Sequence, residues 1–342
     1  LVLLHPEGTQ CPHGTQQWLD RRPVADHVHV RPALDRDMAR LARIQSRTAV
    51  GLVLAGGGAR GFAHLGIYRA LQEEGVEIDC VGGTSIGSVM AAYVASDQPL
   101  TTVMDNAREA FRTNPTGDWS LLPLMSLIKG RRLRHILHDA VGQLVGFPAQ
   151  VEDLWKNYYC VATNYSRASE QVVRRGSLVK SLLASISIPG ALPPVVHEGD
   201  LLCDGGTFNN FPVDVMRSSM RGVGTVIGVD LNFRKPRRIE LDDIPSSWAL
   251  LRDKLRPRAQ RRYKLPSLAS YLMQVTILYS MSRQRQSQQL TDLYFNPPMD
   301  RVGMLQWNRF EQIVQQGYAH GIQVLDALDD TQRRRIGGLR TS

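Results

Sequence analysis

A chain of 342 residues with 43% hydrophobic and 21% charged residues has the composition of an ordinary globular protein, with room for one large α/β domain or two smaller ones. No apolar run reaches the roughly 18 residues that a spanning helix needs, and no basic-then-apolar stretch opens the chain, so neither a membrane span nor a leader is expected. The formal net charge of +9 is uneven: Arg234–Lys264 holds eleven Lys/Arg against four Asp/Glu, a net +7 within 31 residues.

Residues 1–47 read as the tail of an upstream region followed by a lead-in helix, as if a chain that begins Leu1-Val2-Leu3-Leu4-His5 were a fragment of a longer protein. Short strands are predicted at Leu1–His5 and Val28–Arg31. His27 and His29 alternate along the second run; without an acidic or cysteine partner at ligand spacing they read as surface histidines, not metal ligands. Asp35–Arg47 sets Met38, Leu41, Ala42 and Gln45 on one side of a helix that docks on a domain beginning at Thr48.

From there strands and helices alternate. Ala49–Ala55 is a β-branched apolar run stopped by Gly56, Gly57 and Gly58; Phe62–Glu74 is helical, and Val76–Gly82 is a second strand. Gly83-Thr84-Ser85-Ile86-Gly87 then turns into the helix Ser88–Ala95, and Leu100–Thr113 is helical. Ser120–Val145 mixes Leu121, Leu122, Leu124, Met125, Leu127 and Ile128 with Lys129, Arg131, Arg132 and Arg134. That pattern suits a packed helix with an exposed basic end and, second to it, a lid or membrane-facing helix. Strands are predicted at Tyr158–Thr163, Gln171–Arg174, Leu201–Cys203, Gly224–Asp230 and Leu293–Asn296. Helices are predicted at Leu178–Ile186, Val213–Met220, Ser267–Gln289 and Phe310–Leu328, and the proline-rich Ala191–Val196 reads as a rigid wall. The expected fold is α/β, a mainly parallel sheet with helices on both faces, in a single large domain. Residues 48–232 would form its core and 233–342 a basic, helical C-terminal extension packed on it.

Two turns carry the chemistry. Gly56-Gly57-Gly58-Ala59-Arg60-Gly61 satisfies GxGxxG between a strand and a helix, and Asp79 lies near where a dinucleotide fold keeps its ribose-binding acid. Unobstructed N–H groups at a helix start can hold a phosphate or an oxyanion equally well, so a nucleotide-binding module competes with an acyl-transfer site. The second turn, Gly83-x-Ser85-x-Gly87, is the nucleophile-elbow pattern, with Thr84 and Ser88 as alternative hydroxyls that would only cap the helix. A parallel crossover places both turns on one carboxyl edge. For a base, Asp204 follows a strand and enters Gly205-Gly206, which predicts the same carboxyl-edge placement as Ser85; Asp230, similarly placed at the end of Val226–Val229, is second choice. His320 is the only histidine after Asp204, and a packing or surface role suits it better; His64 can line the site.

With these three motifs in order, the chain resembles the patatin-like phospholipases, over about residues 48–230. Ile188-Pro189-Gly190, the Ala191–Val196 segment and Asn209-Asn210-x-Pro212 add to the likeness. Leu1–Pro6, Trp18-Leu19, the Ala39–Arg43 helix and Phe310–Gly321 look most like its neuropathy-target-esterase branch. The resemblance implies a Ser85–Asp204 dyad and an oxyanion hole from Gly56, Gly57, Gly58, Ala59 and Arg60. It implies hydrolysis of phospholipid or lysophospholipid esters, no metal and no cofactor. Members of that branch carry upstream cyclic-nucleotide-binding modules, which this chain lacks, and associate with membranes. The basic 234–264 stretch would then meet a membrane surface; nucleic acid is not expected, since only Trp248 and Tyr263 interleave with the charges and no recognition motif accompanies them. Cys11, Cys80, Cys160 and Cys203 form no CxxC pair, and Cys80 and Cys203 read as buried free thiols. A cytoplasmic protein, peripheral to the cytoplasmic face of a membrane, is the expectation.

Overall fold

The computed structural model describes residues 1–231, 241, 243–257, 260, 262–263, 265, 271 and 275–336. Two short strands, β1 (Val2–Leu4) and β2 (Val28–Val30), flank helix α1 (Thr15–Leu19) and pair in parallel as a small separate sheet. Helix α2 (Asp35–Ser46) follows. Buried ion pairs tie this lead-in down: Arg31 to Asp37 at 2.7 Å and to Asp97 at 2.9 Å, with the Arg31 guanidinium over the Trp155 ring. His27 and His29 are not surface residues. His29 is buried, and the Nε2 atoms of both meet the Glu152 carbonyl, at 3.0 and 2.8 Å. A backbone acceptor more than a hundred residues away leaves no sequence signal, which is why their pattern reads as exposed.

The main sheet starts at β3 (Ala49–Leu54). Val50, Leu52 and Leu54 face one layer while Val53 faces the other, so the strand is buried on both sides. Helix α3 (Phe62–Glu73) leads to β4 (Cys80–Thr84), which begins four residues later than the apolar run from Val76 suggests. Asp79 explains the delay. It sits fully buried before the strand, where its carboxylate accepts the Val50 N–H and the Nε and Nη2 donors along one edge of the Arg43 guanidinium. Helix α4 (Ile86–Ala95) is buried on all sides, in keeping with a sequence that is apolar but for Ser88, whose hydroxyl is bonded to the Ser85 carbonyl. It is followed by α5 (Leu100–Ala110), α6 (Arg131–Val145), β5 (Asn157–Asn164), β6 (Ser169–Val173) and α7 (Leu178–Ile186). Then come β7 (Val195–His197), β8 (Asp200–Asp204), α8 (Val213–Ser219), β9 (Val223–Val229) and α9 (Ser247–Lys254). The described chain closes with α10 (Leu278–Ser282), α11 (Gln284–Gln289), β10 (Leu293–Phe295), α12 (Phe310–Asp326) and α13 (Asp330–Ile336).

Strand order is β10-β9-β3-β4-β5-β8-β7, with β6 also on β5. The run from β10 to β5 is parallel, whereas β6, β7 and β8 are antiparallel to their neighbours, so the sheet is mainly parallel with a mixed margin. Helices cover both faces: α3 to α7 and α12 on one, α8 on the other. Residues beyond 233 contribute directly, since β10 extends the sheet along β9 and α12 lies on α3. That helix contact is close enough that a Cβ at Gly317 would meet the Ala63 backbone, and one at Gly66 the Tyr318 N.

Three expectations change. Only the Arg131–Val145 half of the predicted 120–145 helix is helical; Pro123 and the irregular apolar spacing before it give an extended loop. The predicted Ser267–Gln289 helix breaks at Arg283, and residues 266–270 and 272–274 of it lie outside the described residues. In the basic stretch, 234–240, 242, 258, 259, 261 and 264 also lie outside them.

Candidate active site

Ser85 stands between β4 and α4 with φ 55° and ψ −129°, a backbone region costly for any side chain. Crowding on both sides enforces it. A Cβ at Gly83 would lie 2.7 Å from the Gly87 carbonyl carbon, and one at Gly87 would lie 2.6 Å from the Ala55 oxygen. The elbow therefore needs glycine at 83 and 87 to pass under β3, and the serine is thrust out at the strand end.

Asp204 reaches it by a route that the sequence does not disclose. Along one flank of β5, Val161 pairs with Thr84, the last residue of β4; on the same flank the next residue, Ala162, pairs with Asp204, the last residue of β8. The other flank belongs to β6. Thus β8 continues the row that β4 occupies but runs against it, and the two strands meet end to end. Asp204 does not share the serine's carboxyl-edge direction; it arrives head-on. The Ser85 hydroxyl donates to Asp204 Oδ2 at 2.7 Å, and the Gly206 N–H donates to Asp204 Oδ1 at 2.7 Å. Both side chains are buried. Burial raises the Asp204 carboxyl to about 6, against the opposing pull of the Ser85 and Gly206 hydrogen bonds. It is still ionised at neutral pH, and a stronger base than a solvated carboxylate.

Further residues hold the pair in register. Ser185, fully buried in α7, accepts the Ser85 backbone N–H at 2.9 Å and donates to the Val161 carbonyl at 2.6 Å. The Asp204 N–H donates to the Ser187 carbonyl, and Thr163 Oγ1 donates to the Asp204 carbonyl. Nothing in the sequence singles out Ser185, because a lone serine in a helix has no local signature. Thr84 Oγ1 donates to the Asn209 carbonyl and Ser88 Oγ to the Ser85 carbonyl, so neither alternative hydroxyl meets the carboxylate.

The glycine turn lies directly against the serine: a Cβ at Gly56 would stand 3.0 Å from Ser85 Cβ. Of its donors, the Gly56 N–H goes to the Asn210 carbonyl at 3.1 Å and the Ala59 N–H to the Met304 carbonyl at 2.8 Å. These two are engaged in holding the turn. The Gly57 and Gly58 N–H groups have no backbone acceptor among the described residues. Gly58 has φ +60° and its Cβ position collides with Met304, so only glycine fits. Arg60 Nε donates to the Val302 carbonyl at 2.7 Å, and Asn210 Nδ2 to the Gly56 carbonyl at 3.1 Å, which frame the turn from two sides. Gly205 is confined by the Val161 carbonyl and Thr84, and Gly206 by Asn210 and Asp204.

The other candidates lie elsewhere. Asp79 is at the amino end of β4, opposite the glycine turn, in an ion pair with Arg43, and so is not placed as a ribose ligand. Asp230 Oδ2 accepts from Gln284 Nε2 and Tyr294 OH. His64 is buried against the Ala55 carbonyl at 2.8 Å, and burial lowers its pKa to about 4. His320 Nε2 accepts the Asn296 N–H at 3.1 Å, beside β10.

A strained serine at a strand-to-helix elbow thus donates to a buried carboxylate at the end of a mainly parallel sheet, the local geometry of a nucleophile elbow. Residues 52–217 form a patatin-like phospholipase domain, matched by that family's sequence model over a span that holds both turns and Asp204. The chain is 32% identical to neuropathy target esterase sws of Drosophila melanogaster over 94% of this chain and 24% of that protein. It is 33% identical to patatin-like phospholipase domain-containing protein 6 of Homo sapiens over 94% and 25%, and 29% identical to lysophospholipase NTE1 of Mycosarcoma maydis over 96% and 20%. The chain thus spans a quarter or less of the length of these relatives. Among solved structures, VipD from Legionella pneumophila is similar at 16% identity and a TM-score of 0.41, over 82% of this chain and 67% of that one.

Proposed function

We propose that the chain is a serine lipid-acyl hydrolase that cleaves phospholipid or lysophospholipid esters through a Ser85–Asp204 dyad. One observation carries the reading: the hydroxyl of a strained elbow serine donates to a buried carboxylate at 2.7 Å. Relatives named as an esterase, a phospholipase-domain protein and a lysophospholipase support the ester and the lipid.

In this mechanism Ser85 Oγ attacks the ester carbonyl while its proton passes to Asp204. The carbonyl oxygen becomes an oxyanion facing the Gly57 and Gly58 N–H groups. Collapse of the tetrahedral intermediate breaks the bond to the alcohol oxygen, which takes the proton from Asp204 and leaves as the glycerol-side product. Water then gives a proton to Asp204 and attacks the acyl-Ser85 carbonyl. The fatty acid leaves and the proton returns to Ser85. No histidine is needed, because burial already gives Asp204 the basicity required near neutrality.

A fluorophosphonate probe should form an adduct at Ser85 in the native chain and none in Ser85→Ala. Ester hydrolysis by the variant, measured on lysophospholipid and diacylphospholipid panels, should fall by about 10⁴-fold or more. Retention of full esterase activity in Ser85→Ala overturns the assignment.

A further inference from the structure

Residues 119–128 form a tongue with an apolar tip. Its base is closed by the Trp119–Ile128 bridge and the Ser120 N–H to Leu127 carbonyl bond at 2.8 Å, and Ile128 is buried in the core. Beyond that base, Leu121, Leu122 and Leu124 are 92%, 79% and 90% exposed, and Trp119 and Met125 are exposed beside them. Singly exposed leucines are ordinary, but five large apolar side chains within seven residues are not.

The tongue is anchored beside the dyad. Leu127 and Ile128 donate their N–H groups to the Gly190 and Ala191 carbonyls, a few residues after Ser187, whose carbonyl holds the Asp204 N–H. Immediately behind the tip, Lys129, Arg131, Arg132 and Arg134 are all exposed. Asp118 accepts the Arg131 and Arg132 N–H groups, so it caps α6 and neutralises only part of this belt. Arg134 also lines a groove of about 630 Å³ whose other walls include Lys180, Phe147, Val179, Leu183 and Val195.

We propose that this tongue inserts into the interfacial region of a lipid bilayer, with Lys129, Arg131, Arg132 and Arg134 on anionic headgroups, and so seats the dyad on its substrate surface. Two features select a bilayer over a protein partner. The leucines project convexly instead of lining a groove, and a fluid hydrocarbon phase accepts a convex apolar tip that a protein would need a matched socket to cover. The cationic belt at the base sits where the headgroup plane would lie once the tip is buried. The inference rests on the lipid-hydrolase reading and adds that the enzyme takes its ester from an anionic lipid surface, not from dispersed monomers.

The test sediments the 342-residue chain with vesicles of phosphatidylcholine containing about 30 mol% phosphatidylserine. The triple variant Leu121→Ser/Leu122→Ser/Leu124→Ser should partition about tenfold or more weakly, and hydrolysis of vesicle lipid should fall in parallel. Its rate on a soluble short-chain aryl ester should match the native rate, which shows the fold and dyad intact. Arg131→Gln/Arg132→Gln should weaken binding severalfold, at about 0.1 M salt but not at about 0.5 M. Brominated acyl chains should quench native fluorescence more than that of Trp119→Phe. Native-level partitioning by the leucine variant overturns the inference, as does a native chain that ignores vesicles and dimerises through the tongue. If vesicles bind through the tongue while neither ester is cleaved, docking stands and the hydrolase reading falls.

Discussion

The two members of the proposed dyad reach the same point by opposite kinds of construction. Ser85 is placed by neighbours in sequence: Gly83 and Gly87 let the elbow pass under β3, and the strained backbone follows from a turn five residues long. Asp204 is placed by register, since β8 runs against β4 along the same flank of β5 and stops one pair beyond it. A locally built feature resists distant change and fails to local crowding. A feature built by register depends on every contact that fixes the strand, here Ser185, Ser187 and Thr163.

The sharpest way to separate the two is Asp204→Asn. The amide keeps the shape and can still accept from Gly206 and donate toward Ser85, but it cannot take a proton, so kcat should fall by about 10³-fold or more. Stability should move the other way. The folded carboxyl, raised by burial to about 6 from the model-compound 3.8, binds its proton more tightly than the unfolded chain does. Stability therefore falls as pH rises between about 4 and 6, and above that window the ionised carboxylate costs about 3 kcal/mol. Asp204→Asn should accordingly raise the unfolding temperature at pH 7 and leave it unchanged at pH 4. In the native chain kcat/KM should decline below about pH 6 as the base is protonated. An unfolding temperature that drops at pH 7, or a flat pH–rate profile from 5 to 8, would show that Asp204 is a structural carboxyl and not the base.

How much of this was legible follows from the same contrast. Each strand-to-helix turn reads directly, because glycine, a following helix and a preceding β-branched run are all local. Asp204-Gly205-Gly206 reads as a motif too, but strand direction is decided by pairing, and nothing in Leu201–Cys203 says that β8 runs backwards. Ser185 carries no sequence signal, and Asn210, legible only as part of the Asn209-Asn210-x-Pro212 likeness, does not disclose its bond to Gly56, since each acts on a residue a hundred or more positions away. The glycine turn shows the reverse limit. Its five candidate donors look equivalent in sequence; the Asn210 carbonyl engages Gly56 and the loop at Met304, almost 250 residues later, engages Ala59, whereas Gly57 and Gly58 have no backbone acceptor among the described residues. Segment 120–130 misleads because its apolar residues signal burial, whereas here they are exposed at a loop that Pro123 keeps from being helical.

Gly87→Ala tests the local half. An added Cβ meets the Leu54 and Ala55 backbone oxygens, which cannot move without shifting β3, so the variant should lose about 2–4 kcal/mol, measured by urea unfolding. That exceeds the roughly 1 kcal/mol that alanine gains over glycine in a helix. A neutral outcome would mean that the elbow relaxes more freely than its packing implies.

Ser185→Ala tests the register half with a smaller effect. It leaves the Ser85 N–H and the Val161 carbonyl unpaired, at a cost of about 1–3 kcal/mol of stability. As a positioning residue it should lower kcat about 10- to 100-fold, with KM and the pH profile near native. A loss seen only in KM would place Ser185 in substrate binding instead.

The smallest expected effect carries the last distinction. A serine hydrolase of the triad type would route its proton through a histidine, and His320 is the only one after Asp204. Yet His320 packs its ring edge-on to Phe295 and accepts the Asn296 N–H, beside β10. Strands β9 and β3 stand between β10 and β4, so three strand spacings, about 14 Å, separate it from the elbow. No proton crosses that distance in one hydrogen bond. His320→Ala should therefore change kcat/KM on a soluble ester by less than about threefold while removing one backbone partner of modest worth. A loss of the size expected for Asp204→Asn would move the base to His320 and leave the end-to-end meeting of β4 and β8 without a catalytic purpose.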